Sequence, residues 1–205
     1  MMVKKGMLVV LSAPSGGGKT SIYKELLKRN PRFHYSVSAT TRHRREGETD
    51  GVSYFFMTED EFEKKIEMDM FAEWAEVYGN YYGTLRTYVD KALSDGHILL
   101  MDLDVQGARN LSYSYDEAIT IFLVPPSQKV LKERLIGRGT DDEENCNRRL
   151  KQALKEIAEW SNYRYVVIND EFKRTVETAE AIITAESVKA DRFENDYFDS
   201  YSIGT

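Results

Sequence analysis

Ala13-Pro14-Ser15-Gly16-Gly17-Gly18-Lys19-Thr20 follows the apolar run Met7-Leu8-Val9-Val10-Leu11. A run this short reads as a buried strand, and the glycines after it read as a loop that opens a helix. Glycines let successive backbone N–H groups turn inward around an anion. The helix that follows points the positive end of its dipole at the same place. In that setting Lys19 supplies a point charge to the β- and γ-phosphates, and the Thr20 hydroxyl ligates Mg²⁺. The octet departs from the strict pattern in one position, Ala13, where a first glycine is usual. Ile22, Leu26 and Leu27 share one face of the next segment, and Asn30-Pro31 stops it,. Ala13, Pro14, Ser15, Gly16, Gly17, Gly18, Lys19 and Thr20 are therefore expected to bind a nucleotide phosphate.

Outward from this loop, strands and helices alternate, as in an α/β fold with a parallel sheet. Tyr35-Ser36-Val37-Ser38-Ala39 alternates like a short strand. Residues 40–51 are rich in Arg, Glu and Gly, and the apolar Val52-Ser53-Tyr54-Phe55-Phe56-Met57 follows. Thr58-Glu59-Asp60-Glu61 is a capping box, and Phe62, Ile66 and Met70 would share a face of its helix. Residues 71–84 are aromatic and contain glycines, so strands and turns are expected. Residues 36–88 thus interrupt the rhythm, as an inserted subdomain would. It resumes with a helix carrying Tyr88, Val89, Ala92 and Leu93, stopped by Asp95-Gly96, and the strand Ile98-Leu99-Leu100-Met101-Asp102. Ile119-Thr120-Ile121-Phe122-Leu123-Val124 is a further strand, closed by Pro125-Pro126. Ser127 opens a helix with Val130, Leu131 and Leu135, and Gly137-Arg138-Gly139 is a joint. Thr140-Asp141-Asp142-Glu143 caps a long polar helix reaching Trp160. Tyr165-Val166-Val167-Ile168 is the last strand, and Phe172, Val176, Ala179 and Ile183 mark the closing helix. Residues 189–205 are acidic and aromatic, without periodicity.

The chain has 205 residues and a net charge of -6, so no global basic field attracts nucleic acid,. Anionic substrates must be met by local arginine clusters. The single cysteine, Cys146, excludes an internal disulfide and suits a reducing compartment; it reads as a packing residue,. The charged start resembles a signal peptide, but its apolar run is too short and breaks at Ser12-Ala13-Pro14. No stretch approaches the roughly 18 apolar residues of a membrane span. A cytoplasmic protein without nucleic-acid or membrane partners is expected, as a monomer or small homo-oligomer.

Asp102 closes an apolar strand, and Asp104 would project to the same side if that strand continued. Beside a phosphate loop, Asp102 suits the metal shell and Asp104 the substrate. Arg42-His43-Arg44-Arg45 lies in the inserted segment with Tyr54; planar guanidinium groups grip phosphate bidentately and a tyrosine adds a neutral donor. His43 is read as a bystander. Arg134, Arg138, Arg148 and Arg149 lie in and around the Gly137–Gly139 joint and could close over a transferring phosphoryl group,. No positioned general base is evident. A hydroxyl acceptor needs one, whereas a phosphate acceptor is already anionic, which favours a nucleoside monophosphate.

Taken together, these residues resemble the guanylate kinase family. Besides residues 12–20, the resemblance is carried by Ser36-Val37-Ser38-Ala39-Thr40-Thr41-Arg42 with Arg45, Gly47-Glu48 and Gly51-Val52-Ser53-Tyr54. It continues in Glu73-Trp74-Ala75, Gly79-Asn80-Tyr81-Tyr82-Gly83-Thr84, Asp102-Leu103-Asp104-Val105-Gln106-Gly107 and Arg134-Leu135-Ile136-Gly137-Arg138-Gly139-Thr140. The resemblance implies an ATP:GMP phosphotransferase using Mg²⁺, acting in purine metabolism and GMP recycling, with dGMP as a further acceptor. It implies a P-loop NTPase-type parallel sheet core flanked by helices (residues 1–35, 89–133 and 161–205). A mixed α+β GMP-binding subdomain (36–88) and a helical lid (134–160) complete it. By matching position, Arg42, Arg45, Tyr54 and Tyr82 would hold the GMP phosphate, and Ser38, Glu73, Thr84 and Asp104 would contact guanine or its surroundings. Arg138 and Arg149, supported by Arg134, would join Lys19 in catalysis, and Asn169 would sit near adenine or cap a helix. Guanine's N1–H and N2–H₂ donors suit the Glu73 carboxylate and its O6 suits the Ser38 hydroxyl, whereas adenine would set a lone pair against that carboxylate. Two rivals remain: an interaction domain of guanylate-kinase type without catalysis, which should lack the intact loop, and a P-loop kinase for another small phosphate.

Overall fold

The structure is a computed structural model, and it describes residues 5–77, 79–136 and 143–193. The first half runs β1 (Met7–Ser12), α1 (Lys19–Arg29), β2 (Phe33–Tyr35), β3 (Ala39–Thr40), β4 (Phe55–Phe56), α2 (Glu59–Glu67), β5 (Phe71–Val77) and β6 (Asn80–Leu85). The second runs α3 (Arg86–Ser94), β7 (Ile98–Asp102), α4 (Val105–Ser114), β8 (Ile119–Val124), α5 (Gln128–Ile136), α6 (Glu143–Ala158), β9 (Tyr165–Ile168) and α7 (Phe172–Glu186).

Five strands form a parallel sheet in the order β2-β7-β1-β8-β9. The central strand β1 is buried along its whole length, because helices cover both faces,. Successive residues serve opposite faces. Val9 and Leu11 pack with Ile22 and Leu26 of α1 and Val176, Ala179 and Ile183 of α7. Leu8 and Val10 pack with Val89 and Ala92 of α3 and Ala108 and Leu111 of α4. Strand order reverses around β1, so its carboxyl end opens into the crevice where such sheets bind ligands. The glycine loop starts there, and the β1–β7 register sets Leu11 opposite Asp102.

The second sheet, β4-β3-β6-β5, is mixed and closes over Phe62, Ala39 and Phe71. Phe62 stacks on Phe71 at 4.2 Å and on Tyr81 at 5.3 Å. Thr58 caps α2 as the sequence indicates: the Glu61 N–H donates to Thr58 Oγ1 at 3.2 Å, and the Thr58 N–H donates to Glu61 Oε2 at 2.8 Å.

Local patterning misleads in three places. Tyr35-Ser36-Val37-Ser38-Ala39 is not one strand: β2 ends at Tyr35 in the parallel sheet, and β3 begins at Ala39 in the mixed one. Met70 is not on the α2 face, because that helix stops at Glu67 and the chain turns at Asp69, whose φ is 50°. Helix α4 has no clear apolar period, since Gly107, Ala108 and Leu111 are its buried residues. Asp104 is therefore the cap of α4, not a continuation of β7; its Oδ1 accepts the Gly107 N–H at 2.8 Å. The joint at residues 137–139, the start of the polar helix at 140–142 and the tail from 194 lie outside the described residues.

Candidate active site

The loop after β1 needs its glycines for two physical reasons. Gly16 and Gly18 sit at φ 83° and 85°, where a side chain is strained,. A Cβ on Gly17 would lie 2.7 Å from Ala13 Cβ, and one on Gly18 would lie 2.6 Å from Asn169 Nδ2. Gly18 is also the cap of α1 and has no side chain to occupy the first-turn N–H groups, which leaves an anion site at the helix start,.

Asn169 holds this loop from behind. Its Nδ2 donates to the Gly17 carbonyl at 2.7 Å, and its N–H donates to the Val124 carbonyl at 2.7 Å. Arg134 Nη2 donates to the Asn169 carbonyl at 2.9 Å, while Arg134 Nη1 is buried without a partner among the described residues. The cap of α7 is Glu171, not Asn169.

Lys19 reaches across to the end of β7. Its Nζ lies 2.7 Å from Asp102 Oδ1 and donates to the Leu103 carbonyl at 2.6 Å. Thr20 is exposed beside it. Hydroxyl and carboxylate oxygens are the donors a hard cation takes. Among the described residues no three His, Cys, Asp or Glu side chains cluster as a metal site. This set fits Mg²⁺, which needs only one or two protein oxygens when phosphates and water supply the rest.

Helix α6 faces the loop across a cleft of about 960 Å³. Arg149 Nη2 donates to Ser15 Oγ at 3.1 Å, and the Ser15 N–H donates to Glu156 Oε2 at 3.1 Å. Arg148, Lys151 and Lys155 line the same cleft, so α6 brings four cations to a chain whose net charge is negative. Arg138 lies outside the described residues. Sequence reading passed over Glu156, although Arg149, Gln152 and Glu156 follow the i, i+3, i+7 spacing of one helix face.

Across the cleft the mixed sheet presents a second group. Glu73 is 5% exposed, yet it is a carboxylic acid. Thr84 Oγ1 donates to its Oε1 at 2.8 Å, and the hairpin register sets the two residues opposite. Burial, reinforced by the nearby Asp104 carboxylate, pushes Glu73 up to about 7 despite the Thr84 hydrogen bond. Gly107 separates the two acids: a Cβ there would be 3.0 Å from Glu73 Oε2 and 3.1 Å from Asp104 Oδ1. Arg42, Tyr54 and Tyr82 also converge. The guanidinium lies 5.4 Å from the Tyr54 ring, and the two tyrosine rings meet edge-on at 6.1 Å. Glu48 holds this group: Arg42 Nη2 donates to it at 2.8 Å, and the Arg45 N–H donates to its Oε2 at 2.8 Å. The Arg45 side chain is exposed, and the Ser38 carbonyl accepts the Phe55 N–H at 2.9 Å. Sequence alone marks Tyr35 only as a strand residue. Burial raises its phenol first, then its neighbours Tyr23, Asp102 and Tyr54, so it is a neutral donor near the loop's acid.

A guanylate kinase family model matches residues 5–186. The chain is 48% identical to a guanylate kinase of Carboxydothermus hydrogenoformans over 92% of each chain. It is also 48% identical to one of Clostridium tetani, over 94% of this chain and 92% of that one. Its fold is similar to the crystal structure of guanylate kinase from Anaplasma phagocytophilum, with a TM-score of 0.80 and 30% identity over 99% of both chains.

Proposed function

We infer the roles of these residues from the chain's family, for it belongs to the guanylate kinases and transfers the γ-phosphoryl group of ATP to GMP, giving ADP and GDP. The loop residues 13–20 hold the ATP phosphates through backbone N–H groups, and Lys19 leaves Asp102 to meet the β- and γ-oxygens. Glu156, an acceptor on the Ser15 N–H, yields that donor to a phosphate oxygen. Thr20 and Asp102 hold Mg²⁺, which when bound neutralises charge on the phosphates. Arg149 and Arg138, with Arg134 behind them, stabilise the charge that spreads over the transferring group. Asn169 keeps the loop in shape near the adenine end. Residues 134–160 act as a lid and residues 36–88 as the acceptor subdomain; their approach excludes water, which would otherwise take the phosphoryl group.

Arg42, Arg45, Tyr54 and Tyr82 orient the GMP phosphate for in-line attack, and no base is required because its oxygen is already anionic. The observation that carries the guanine assignment is the buried Glu73 carboxyl between Thr84 and Asp104. It accepts the N1–H and N2–H₂ pair, which adenine lacks, and the Ser38 hydroxyl donates to O6. These contacts address base and phosphate, so dGMP is accepted beside GMP. No helix among the described residues is long and apolar enough to cross a membrane. The protein works in the cytoplasm on free nucleotides, without nucleic acid, as a monomer or small homo-oligomer. Coupled ADP release measured with GMP, dGMP, AMP, CMP and UMP tests the reading. Turnover of GMP and dGMP alone is expected, and comparable turnover of AMP would overturn the guanine pocket.

A further inference from the structure

At the amino end of the parallel sheet, opposite the active site, lies a cavity of about 360 Å³. The six residues of β1 separate it from the glycine loop, a distance of roughly 20 Å at the usual strand rise,. Five of its lining side chains are basic or basic on protonation: Lys5, Arg32, His34, His97 and Arg192. No carboxylate among the described residues lines it. In a chain of net charge -6, this concentration is not a sample of the general surface.

Three features separate the cavity from a solvated charge run. Arg192 is 7% exposed, and its Nε is buried with no hydrogen-bond partner among the described residues. Among the described residues its Nη1 makes only long contacts, 3.4 Å to the Gly6 carbonyl and 3.5 Å to Glu117 Oε2. A buried guanidinium with an unused donor is incomplete. Lys5 and Arg32 form no ion pair with any described residue, although both stand at the same opening. His34 and His97 stack at 3.9 Å between ring centroids, inclined by 15°. The strand register builds that stack, since Phe33 of β2 pairs with Ile98 of β7. Two imidazolium ions would repel at this separation, and an anion over the pair would remove the repulsion. The acids near this group stand outside it: Asp95 beside His97, and Glu117 on the far side of Arg192. Glu117 lines an adjoining cavity of about 480 Å³, which shares Lys5 and Arg192 as its wall.

We propose that the cavity lined by Lys5, Arg32, His34, His97 and Arg192 is a second binding site, for a small phosphate-bearing anion such as pyrophosphate or the polyphosphate of a nucleotide. Arginine N–H groups, an ammonium and two imidazoles supply more donors than one carboxylate can accept, whereas a diphosphate offers acceptors on every side. Binding also draws protons onto the histidines, because the anion favours their charged form.

The chain has only three histidines, so proton NMR resolves each ring, and His43 in the acceptor subdomain reports separately on the active site. Each ring is titrated with pH in the presence of pyrophosphate, ADP, GDP, malonate or sodium chloride of equal ionic strength. Pyrophosphate is expected to move the midpoints of His34 and His97 up by about one pH unit, saturably, while chloride leaves them in place. A matching response to ADP and GDP assigns recognition to the polyphosphate of a nucleotide; a response to pyrophosphate alone assigns it to the free anion. Arg32→Gln should weaken the response about tenfold, as the loss of one charge-assisted hydrogen bond would, with GMP turnover unchanged. Arg192→Gln should abolish it, and the exposed Arg32 position carries the test if that variant does not fold. The proposal is overturned if malonate acts as strongly as pyrophosphate. It is equally overturned if neither ring responds saturably up to about 10 mM, well past a millimolar dissociation constant.

Discussion

Replacing Glu73 with Gln removes a carboxyl that the fold holds at about 7, against an ordinary value near 4.5, while keeping an oxygen for the Thr84 hydroxyl. The sign follows from linkage. The folded chain holds this proton more tightly than the unfolded chain, so the acid's contribution is intact below about pH 4.5 and is lost as pH rises towards 7. The difference of some 2.5 pH units corresponds to roughly 3 kcal/mol at pH 8. Glu73→Gln should therefore raise the melting temperature by roughly 5–10 °C at pH 8, yet change it little near pH 5, where Glu73 is neutral. Function should move the other way. If only the carboxylate accepts guanine's two donors, KM for GMP in the parent enzyme should rise about tenfold from pH 8 to pH 6. In Glu73→Gln that dependence should shrink to what the GMP phosphate, with its own ionisation near 6, contributes. Its kcat/KM for GMP should fall by about a hundredfold at pH 8, and selectivity over AMP should narrow. The paired measurements are calorimetric melting at the two pH values and initial rates against GMP at several. Equal melting shifts at pH 5 and 8, or an unchanged pH profile of KM, would refute the reasoning.

Lys19→Ala should lose turnover by at least about a thousandfold with its circular dichroism unchanged, since the loop's backbone shape does not depend on that side chain; near-normal rates would remove Lys19 from the chemistry. Asn169→Ala should raise KM for ATP several-fold and leave KM for GMP alone, because it frees the Gly17 carbonyl behind the donor site,. Glu156→Gln should lower KM for ATP by a few-fold, by weakening the acceptor that competes for the Ser15 N–H; a raised KM would mean that the carboxylate assists the nucleotide,. Gly18→Ala should abolish ATP binding and lower the melting temperature, since its Cβ meets Asn169 in a left-handed backbone,.

Much of the architecture was legible because its causes are local. The apolar run Met7–Leu11 reads as a buried strand, three glycines before Lys-Thr read as a loop around an anion, and Thr58 with Glu61 marks a helix start,. The arginines were legible as clusters, but not their partners. Glu48 under Arg42 and Glu156 on Ser15 are contacts across turns and across the cleft. Helix α4 escaped because its buried side is Gly107, Ala108 and Leu111, too small to leave a period.

The residue pair Glu73-Trp74 marks the boundary between the two kinds of information. By transfer preference the tryptophan should be inside and the acid outside, and the fold does the reverse: Trp74 is 39% exposed and Glu73 5%,. The cause is an irregularity in the β5–β6 register between Phe71 and Glu73, which puts three consecutive residues inward where a regular strand alternates,. Residue order by itself determined the glycine loop, the parallel core around it and the stock of cations, since each follows from neighbours in the chain. Only tertiary structure decided which acid is buried, what faces it and where its proton is held, because desolvation depends on the strands and helices that close around it.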